Sequence, residues 1–418
     1  MAGNAVANTI REDPRQPGLL FAGTDTQVWV SFDDGDHWQS LRHDMPAISV
    51  RDLQLKDDAK CRCADLIAGT HGRGFWILDN VTPLRQAAAA KAALANNEPY
   101  LFKPGPAVRV RFGVNEPTPW PPELPAGESA PPGALIDYYL AKDAGGQVRL
   151  EILDVSGKVV RTYSSTEPVF DPDPGKDMAA YDEVCKKTPT AAYCGLPLYW
   201  PAPQFIVSPK AGMHRFSWDL KFDPVSPVDL IPAGDEEATG AVPGRTYPNY
   251  NVPWVPPGSY TVRLTIDGAT KTQPMVVRLD PRVQIGPAAL AELNTLSTAL
   301  YWEAVAAHHA FNDAHALAAT LDTRSGREVD AIKGELEALA PTGLQRNMRP
   351  LRRRSGGPAT PSLEAVSNAL QAAAMAMQAA EVAPTATQVA AAAAARAQAR
   401  PVMAQWAAVK AKAASLRP

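Results

Sequence analysis

The residues able to do chemistry in this 418-residue chain are few and scattered. His308, Asn312 and His315 fall at i, i+4 and i+7 on one helical face, which offers two imidazoles and an amide together. A metal site needs a further carboxylate or imidazole from a neighbouring helix, and the spacing supplies none, so no metal is assigned. His71 and Arg73 stand in a glycine-rich turn, Gly69-Thr70-His71-Gly72-Arg73-Gly74. Two such side chains suit an anionic ligand; the plainer reading gives the glycines to backbone geometry and Arg73 to a nearby carboxylate. Trp120, Trp200 and Trp254 sit in Pro-rich loops, PTPWPP, LYWPAP and NVPWVPP. Rigidly held indoles can stack on a sugar, and they can equally fold their loops over a sheet edge, the simpler role.

The four cysteines form two local pairs, Cys61/Cys63 and Cys185/Cys194, without CxxC or zinc-ribbon spacing. Cys185 and Cys194 flank KKTPTAAY; either a local disulfide in an oxidising compartment or two free thiols is compatible with that spacing. The run Arg346 to Arg354 is basic but lacks interleaved aromatics, and reads as a solvated loop. There is no G-x-S-x-G elbow, P-loop, H-E-x-x-H helix or dinucleotide fingerprint, so no catalytic residue and no cofactor are assigned.

Composition places these residues in a globular chain of two or three domains, with 45% hydrophobic and 20% charged positions. A formal net charge of −3 gives no electrostatic reason to expect nucleic acid as a partner. No apolar run reaches the roughly 20 residues of a membrane span. The N-terminal stretch MAGNAVANTIREDP has no charged region followed by an apolar one, so the chain as written is expected to stay cytoplasmic. Prolines crowd between residues 104 and 257 and thin out in the Ala-rich C-terminal third, which marks a change of domain.

Residues 1–86 carry a repeated grammar. TIREDPRQPGLLFAGTDTQVWVSFDDGDHWQSL and ISVRDLQLKDDAKCRCADLIAGTHGRGFWILD each give an alternating strand, an apolar strand ending in Ala-Gly-Thr, and a third strand. The spacing of about 46 residues is close to the ~40–45 of a propeller blade. The first unit continues into Ser31-Phe32-Asp33-Asp34-Gly35-Asp36-His37-Trp38, which resembles the Asp-box (S-x-D-x-G-x-x-W) of sialidases and sortilin-type receptors. Asp33 can accept backbone N–H groups across the turn, Gly35 can take positive φ, and Trp38 can pack over the turn, so Ser31, Asp33, Gly35 and Trp38 are expected to be structural. Gly69 to Asp79 is similar to the last-blade signature of large bacterial Asp-box (BNR) proteins of the glycosyl-hydrolase-like or sortilin-like type. That resemblance implies the last one to two blades of an incomplete β-propeller, followed by a β-sandwich and a helical tail. A propeller closes with at least about four blades, so apolar faces such as Leu66, Ile67, Trp76 and Ile77 are expected to lack an opposing sheet unless the sandwich covers one of them.

Residues 100–283 alternate with period two: Val148, Leu150 and Ile152, and Tyr260, Val262, Leu264 and Ile266, point one way. Further strands are expected at Ala134 to Leu140, Lys158 to Tyr163, His214 to Leu220 and Lys271 to Leu279, the count of a small immunoglobulin- or fibronectin-like sandwich. The strings around Leu150 to Arg161, Gly212 to Asp219 and Val255 to Val262 resemble the immunoglobulin-like domain of flagellar hook-capping proteins, with a Pro-rich insertion near 165–210. Residues 284–418 turn helical, with apolar stripes through Leu293 and Leu300, Val329 and Leu336, Leu363 and Leu370, and Val402 and Val409. An antiparallel Ala-rich bundle is expected, one helix starting at the capping box Thr385 to Gln388.

The resemblance implies a non-catalytic accessory region of a periplasmic or extracellular propeller protein, partnered by upstream blades of its parent and by a protein or glycan. Two alternatives remain: a fragment of a sialidase-like glycoside hydrolase whose active site lies in upstream blades, and a sortilin-like peptide-binding module.

Overall fold

The structure is a computed structural model describing residues 5–58, 63–111, 133–166, 178–187, 194, 206–225, 252–341 and 361–416. Its architecture is mixed β and α, with four sheets and a C-terminal helical region among the described residues. The chain separates into two compact units, one of Met1–Phe112, Pro119–Leu220 and Pro257–Asp280, the other of Gly113–Thr118, Lys221–Pro256 and Pro281–Pro418.

In the first unit, β1 (Ala7–Glu12), β2 (Leu20–Thr24), β3 (Val28–Ser31) and β4 (Gln39–Ser40) form an antiparallel meander in chain order. A second meander follows from β5 (Val50–Asp58), β6 (Cys63–Thr70) and β7 (Phe75–Leu78). The likeness between these sheets extends to irregularities. Each has a register shift in its first strand opposite the Gly-Thr end of its second: between Ala7 and Thr9 facing Thr24 and Gly23, and between Val50 and Asp52 facing Thr70 and Gly69. Each closes its next turn in the same way, Thr24 Oγ1 donating to the Gln27 carbonyl at 3.0 Å and Thr70 Oγ1 to the Gly74 carbonyl at 2.8 Å. The two sheets pack on a shared apolar core of Phe21, Val28 and Val30 from one and Val50, Leu53, Leu66 and Ala68 from the other. A Cβ at Gly23 would lie 2.7 Å from Val50 Cγ1, so the sheets approach too closely there for a side chain.

The short helices α1 (Thr82–Arg85) and α2 (Ala87–Ala95) lead to two further sheets. One has β13 (Gly212–Trp218), β10 (Ala134–Leu140) and β8 (Tyr100–Leu101) in that order. The other orders β12 (Val159–Ser164), β11 (Val148–Leu153), β14 (Gly258–Ile266), β15 (Ala269–Leu279) and β9 (Ala107–Arg109), the last pairing parallel to β15. Period-two alternation places Val148, Leu150, Ile152, Val262 and Leu264 in the interior. Aromatic pairs link the two sheets: Trp218 lies edge-on to Tyr260 at 5.7 Å and Phe216 to Tyr163 at 4.5 Å. Helix α3 (Met178–Lys187) carries Cys185.

The second unit is helical: α4 (Pro287–Leu321), α5 (Arg327–Leu339), α6 (Leu363–Met375) and α7 (Ala386–Ser415). Two of the four, α6 and α7, start at side-chain caps, while α4 and α5 start without one. Pro287 opens α4, the Ser362 hydroxyl accepts from the Ala365 N–H, and Thr385 with Gln388 forms a reciprocal capping box on α7. One core contains Leu293, Leu300, Ile332, Leu336, Val366, Leu370, Val402 and Val409. Small residues let α4 and α6 approach closely enough for Ser367 Oγ to donate to the Ala304 carbonyl at 2.9 Å. Among the described residues no helix is long and apolar enough to cross a membrane.

Candidate functional site

The Ser31–Trp38 turn after β3 is held by its own side chains. Ser31 is fully buried; its Oγ donates to Asp33 Oδ1 at 2.9 Å and accepts the Gly35 N–H at 2.9 Å. Asp33 in turn accepts the His37 N–H at 2.9 Å and meets the His37 ring at 2.7 Å. These hydrogen bonds, the His37 backbone contact first, hold the Asp33 carboxyl at about 2, below its usual 3.8. Gly35 takes φ 97° and sits against Leu20 and the Trp38 ring. The Ser31, Asp33 and His37 groups bond within the turn, and the Asp34 N–H ties it to the Gly18 carbonyl at 3.0 Å, an arrangement suited to locking a hairpin.

The Thr70–Gly74 turn is different. Gly72 and Gly74 hold positive φ at 93° and 66°, which gives the glycine-rich spelling a backbone cause. The His71 N–H is fixed to the Ser49 carbonyl at 2.9 Å, while the His71 and Arg73 side chains are exposed. The turn therefore presents both to solvent from a pinned backbone. Trp254 lies in the second unit, where it bridges Lys221 in a short antiparallel pair; Lys221 Nζ stands 5.5 Å from its ring, and its N–H donates to Gln378 Oε1 at 3.1 Å. Its neighbour Phe222 stacks on Tyr301 of α4 at 4.5 Å. Trp254 is thus half-buried and engaged by Lys221 and Gln378, residues distant from its own loop. Trp120, Trp200, Cys61 and the basic run Arg346 to Arg354 lie outside the described residues.

Cys185 and Cys194 are joined by a disulfide with their Cα atoms 5.5 Å apart. On α4, Phe311 packs edge-on against His315 at 4.5 Å. Among the described residues no group of three His, Cys, Asp or Glu side chains is placed to hold a metal.

Two features have no signature in the sequence. A groove of about 630 Å³ is lined by Met45, Leu66, Trp76 and Leu78 and closed at one end by Asp137 and Arg215. There Arg215 of β13 reaches back to the end of β7: it bonds Asp137 at 2.8 Å, the Asn80 carbonyl at 2.9 Å and the Asp79 carbonyl. Burial raises the Asp137 carboxyl despite that guanidinium. Asp13, whose side chain is fully buried, likewise pairs with Arg85 at 2.9 Å, and Asp57 joins both Arg85 and Arg15. These partners are as far apart as 136 positions in the chain, beyond any local spacing rule.

No family model, curated protein or solved structure matches the chain.

Proposed function

We propose that this chain is a non-catalytic binding region of a secreted Asp-box β-propeller protein. In this reading the first two sheets are successive blades, the next two an immunoglobulin-like sandwich, and α4 to α7 an antiparallel bundle. The carrying observation is the equivalence of the two meanders, which share register shift, turn hydrogen bond and Ala-Gly-Thr strand. The sandwich reading is supported by the aromatic pairs between the three- and five-stranded sheets. A region of this kind binds a protein or a glycan through side chains held on rigid turns, and the exposed His71 and Arg73 are the candidates for an anionic ligand. The Cys185–Cys194 disulfide supports an oxidising compartment, periplasmic or extracellular.

The experiment is a glycan and peptide array probed with the purified chain, run beside hydrolysis assays on chromogenic glycosides. Binding without turnover, weakened by His71→Ala with Arg73→Ala, is expected. Turnover abolished by a carboxylate substitution within the chain would replace this reading with the glycoside hydrolase. Binding confined to peptides and indifferent to the His71 and Arg73 substitutions would favour the sortilin-like module.

A further inference from the structure

The two meanders leave their second strands through equivalent turns, and one of these turns is closed on itself while the other is open. In the first, the Asp25 N–H donates to the Val6 carbonyl at 3.0 Å, and the Thr26 and Gln27 N–H groups both reach Thr24 Oγ1, at 3.3 and 3.2 Å. Asn8, the bulged residue of the flanking strand, donates its amide to the Val50 carbonyl at 3.0 Å, and the Asp25 carboxylate accepts the Val6 N–H. In the second turn His71 repeats the Asp25 backbone bond by donating to the Ser49 carbonyl. That turn is one residue longer, however, and Thr70 Oγ1 donates to Gly74 without accepting from the turn. Among the described residues the Gly72, Arg73 and Gly74 N–H groups meet no acceptor. Gly72 and Gly74 hold positive φ on either side of Arg73, whose φ is negative. Such alternation turns successive N–H groups toward one point, the geometry of an anion-binding nest. The charges change with the turn. Arg51 and His71 stand where the first sheet has Asn8 and Asp25, and the longer turn adds Arg73. All three are exposed, and among the described residues none meets a carboxylate.

We propose that this turn is a phosphate site: the Gly72, Arg73 and Gly74 N–H groups cradle the oxygens of a phosphate monoester, and Arg51, His71 and Arg73 surround its charge. A phosphate monoester brings about −1.5 to −2 charges and three strong acceptor oxygens, which suits two guanidinium groups and a row of backbone donors. A carboxylate offers one charge and two oxygens, and a sulfate ester one charge, so each leaves part of this arrangement unanswered. The donors stand on a turn at the end of the sheet and not on its faces, so the site does not depend on which sheets flank the meander. The inference rests on the reading of His71 and Arg73 as an anion-binding pair, and adds the class of ligand, a third cation and the backbone donors. The site reads the phosphate alone, whether a glycan or a protein carries it.

Calorimetric titration of the full chain with phenyl phosphate, phenyl sulfate and benzoate tests it. Phenyl phosphate is expected to bind about tenfold more tightly than the other two, and Arg51→Gln and Arg73→Gln, both at exposed positions, are each expected to weaken it about five- to tenfold. With isotope-labelled glycine, the Gly72 and Gly74 amide resonances are expected to move on adding phenyl phosphate while those of Gly18 and Gly157, in turns elsewhere, stay in place. Glucose 6-phosphate and phosphoserine, titrated beside it, tell a glycan carrier from a protein one; binding of either supports the site, and rejection of both overturns it. Equal affinity for benzoate or phenyl sulfate overturns the phosphate assignment. Phosphate binding that ignores both arginine substitutions, or that leaves the two glycine amides unmoved, overturns the site. If none of the small anions binds while array binding still depends on His71 and Arg73, this inference falls and the reading beneath it stands; if array binding is also indifferent to those two residues, both fall.

Discussion

Trp29 and Trp76 hold the same place in two successive sheets: each pairs with an alanine, Ala22 or Ala68, and each buries its indole N–H without an acceptor. A buried donor left unpaired costs about 1–3 kcal/mol. Phenylalanine at either site removes that donor and gives up only part of the ring. Trp29→Phe and Trp76→Phe are therefore each expected to change unfolding free energy by less than about 1 kcal/mol, against a loss of about 3–5 kcal/mol for the alanine variants. Denaturant titrations of the four variants would check this, and a large loss for both phenylalanine variants would mean the indoles have partners.

Gly23 and Gly69 are a second equivalent pair, and here the two sheets part. A Cβ at Gly23 would fall 2.7 Å from Val50 and 2.9 Å from Thr9, whereas at Gly69 the nearest atom is 3.6 Å away on the Phe75 ring. Gly23→Ala is expected to destabilise by about 1–3 kcal/mol through overpacking. Gly69→Ala is expected to be neutral or to stabilise by up to about 1 kcal/mol, because alanine has less backbone freedom to lose in a strand. Thermal melts that rank the two variants the other way would overturn the close-approach account.

The repeat itself was legible because two residue strings 46 or so positions apart spell the same strand ends, and the Ser31–Trp38 turn because its chemistry is local. Helical stripes were legible for the same reason: Val329, Ile332, Leu336 and Leu339 are all buried as their spacing requires. The strand at Ala134 to Leu140 matches its expected bounds, while β13 begins two residues earlier than expected, at Gly212, and β15 two earlier, at Ala269. Strand pairing was not legible, since the parallel pairing of β9 with β15 joins segments about 170 residues apart. Nor was the pairing of exposed Arg215 with buried Asp137, because period-two alternation predicts which side a residue faces and not whether a distant guanidinium meets it.

That pair supplies a third prediction. Asp137 has a side chain only 4% exposed, and Arg215 is its ionic partner. Arg215 is itself exposed, so its removal leaves the buried Asp137 carboxylate without its ionic partner but strands no second buried charge. Arg215→Ala is expected to lose about 1–3 kcal/mol at neutral pH. The Asp137 carboxyl already lies above its usual value in the folded protein, and loss of Arg215 raises it further. The folded state then binds a proton more readily than the unfolded state, so the penalty is expected to shrink as pH falls through the raised folded value. A penalty independent of pH would show that Asp137 is not the stranded group.

The Asp33 carboxyl carries the opposite sign. Its folded value of about 2 lies below the usual 3.8, so it contributes stability that is fully present above about pH 4 and lost as pH falls toward about 2. Asp33→Asn is expected to flatten the fall of melting temperature across that window. Ser31→Ala removes the acceptor of the Gly35 N–H and is expected to destabilise by about 1 kcal/mol. If the acid-induced loss is unchanged in Asp33→Asn, the Ser31–Trp38 turn contributes nothing to it.

The last prediction concerns where the first unit opens. Its second and sixth strands, β2 and β6, are interior to their sheets and bury Ala22 and Ala68, whereas β7 is an edge strand with Phe75 and Ile77 in solvent. An amide whose neighbours include water on one face and no strand on one side exchanges through small local openings, while a central strand waits for a larger cooperative event. In dilute protein, hydrogen exchange is expected to be fast across Phe75 to Leu78 and slow at Ala22 and Ala68. It is also expected to be slow at Leu150 and Val262, which lie in the central strands β11 and β14 and are fully buried. Protection at β7 that equals β6 would mean that this strand already has a cover within the chain.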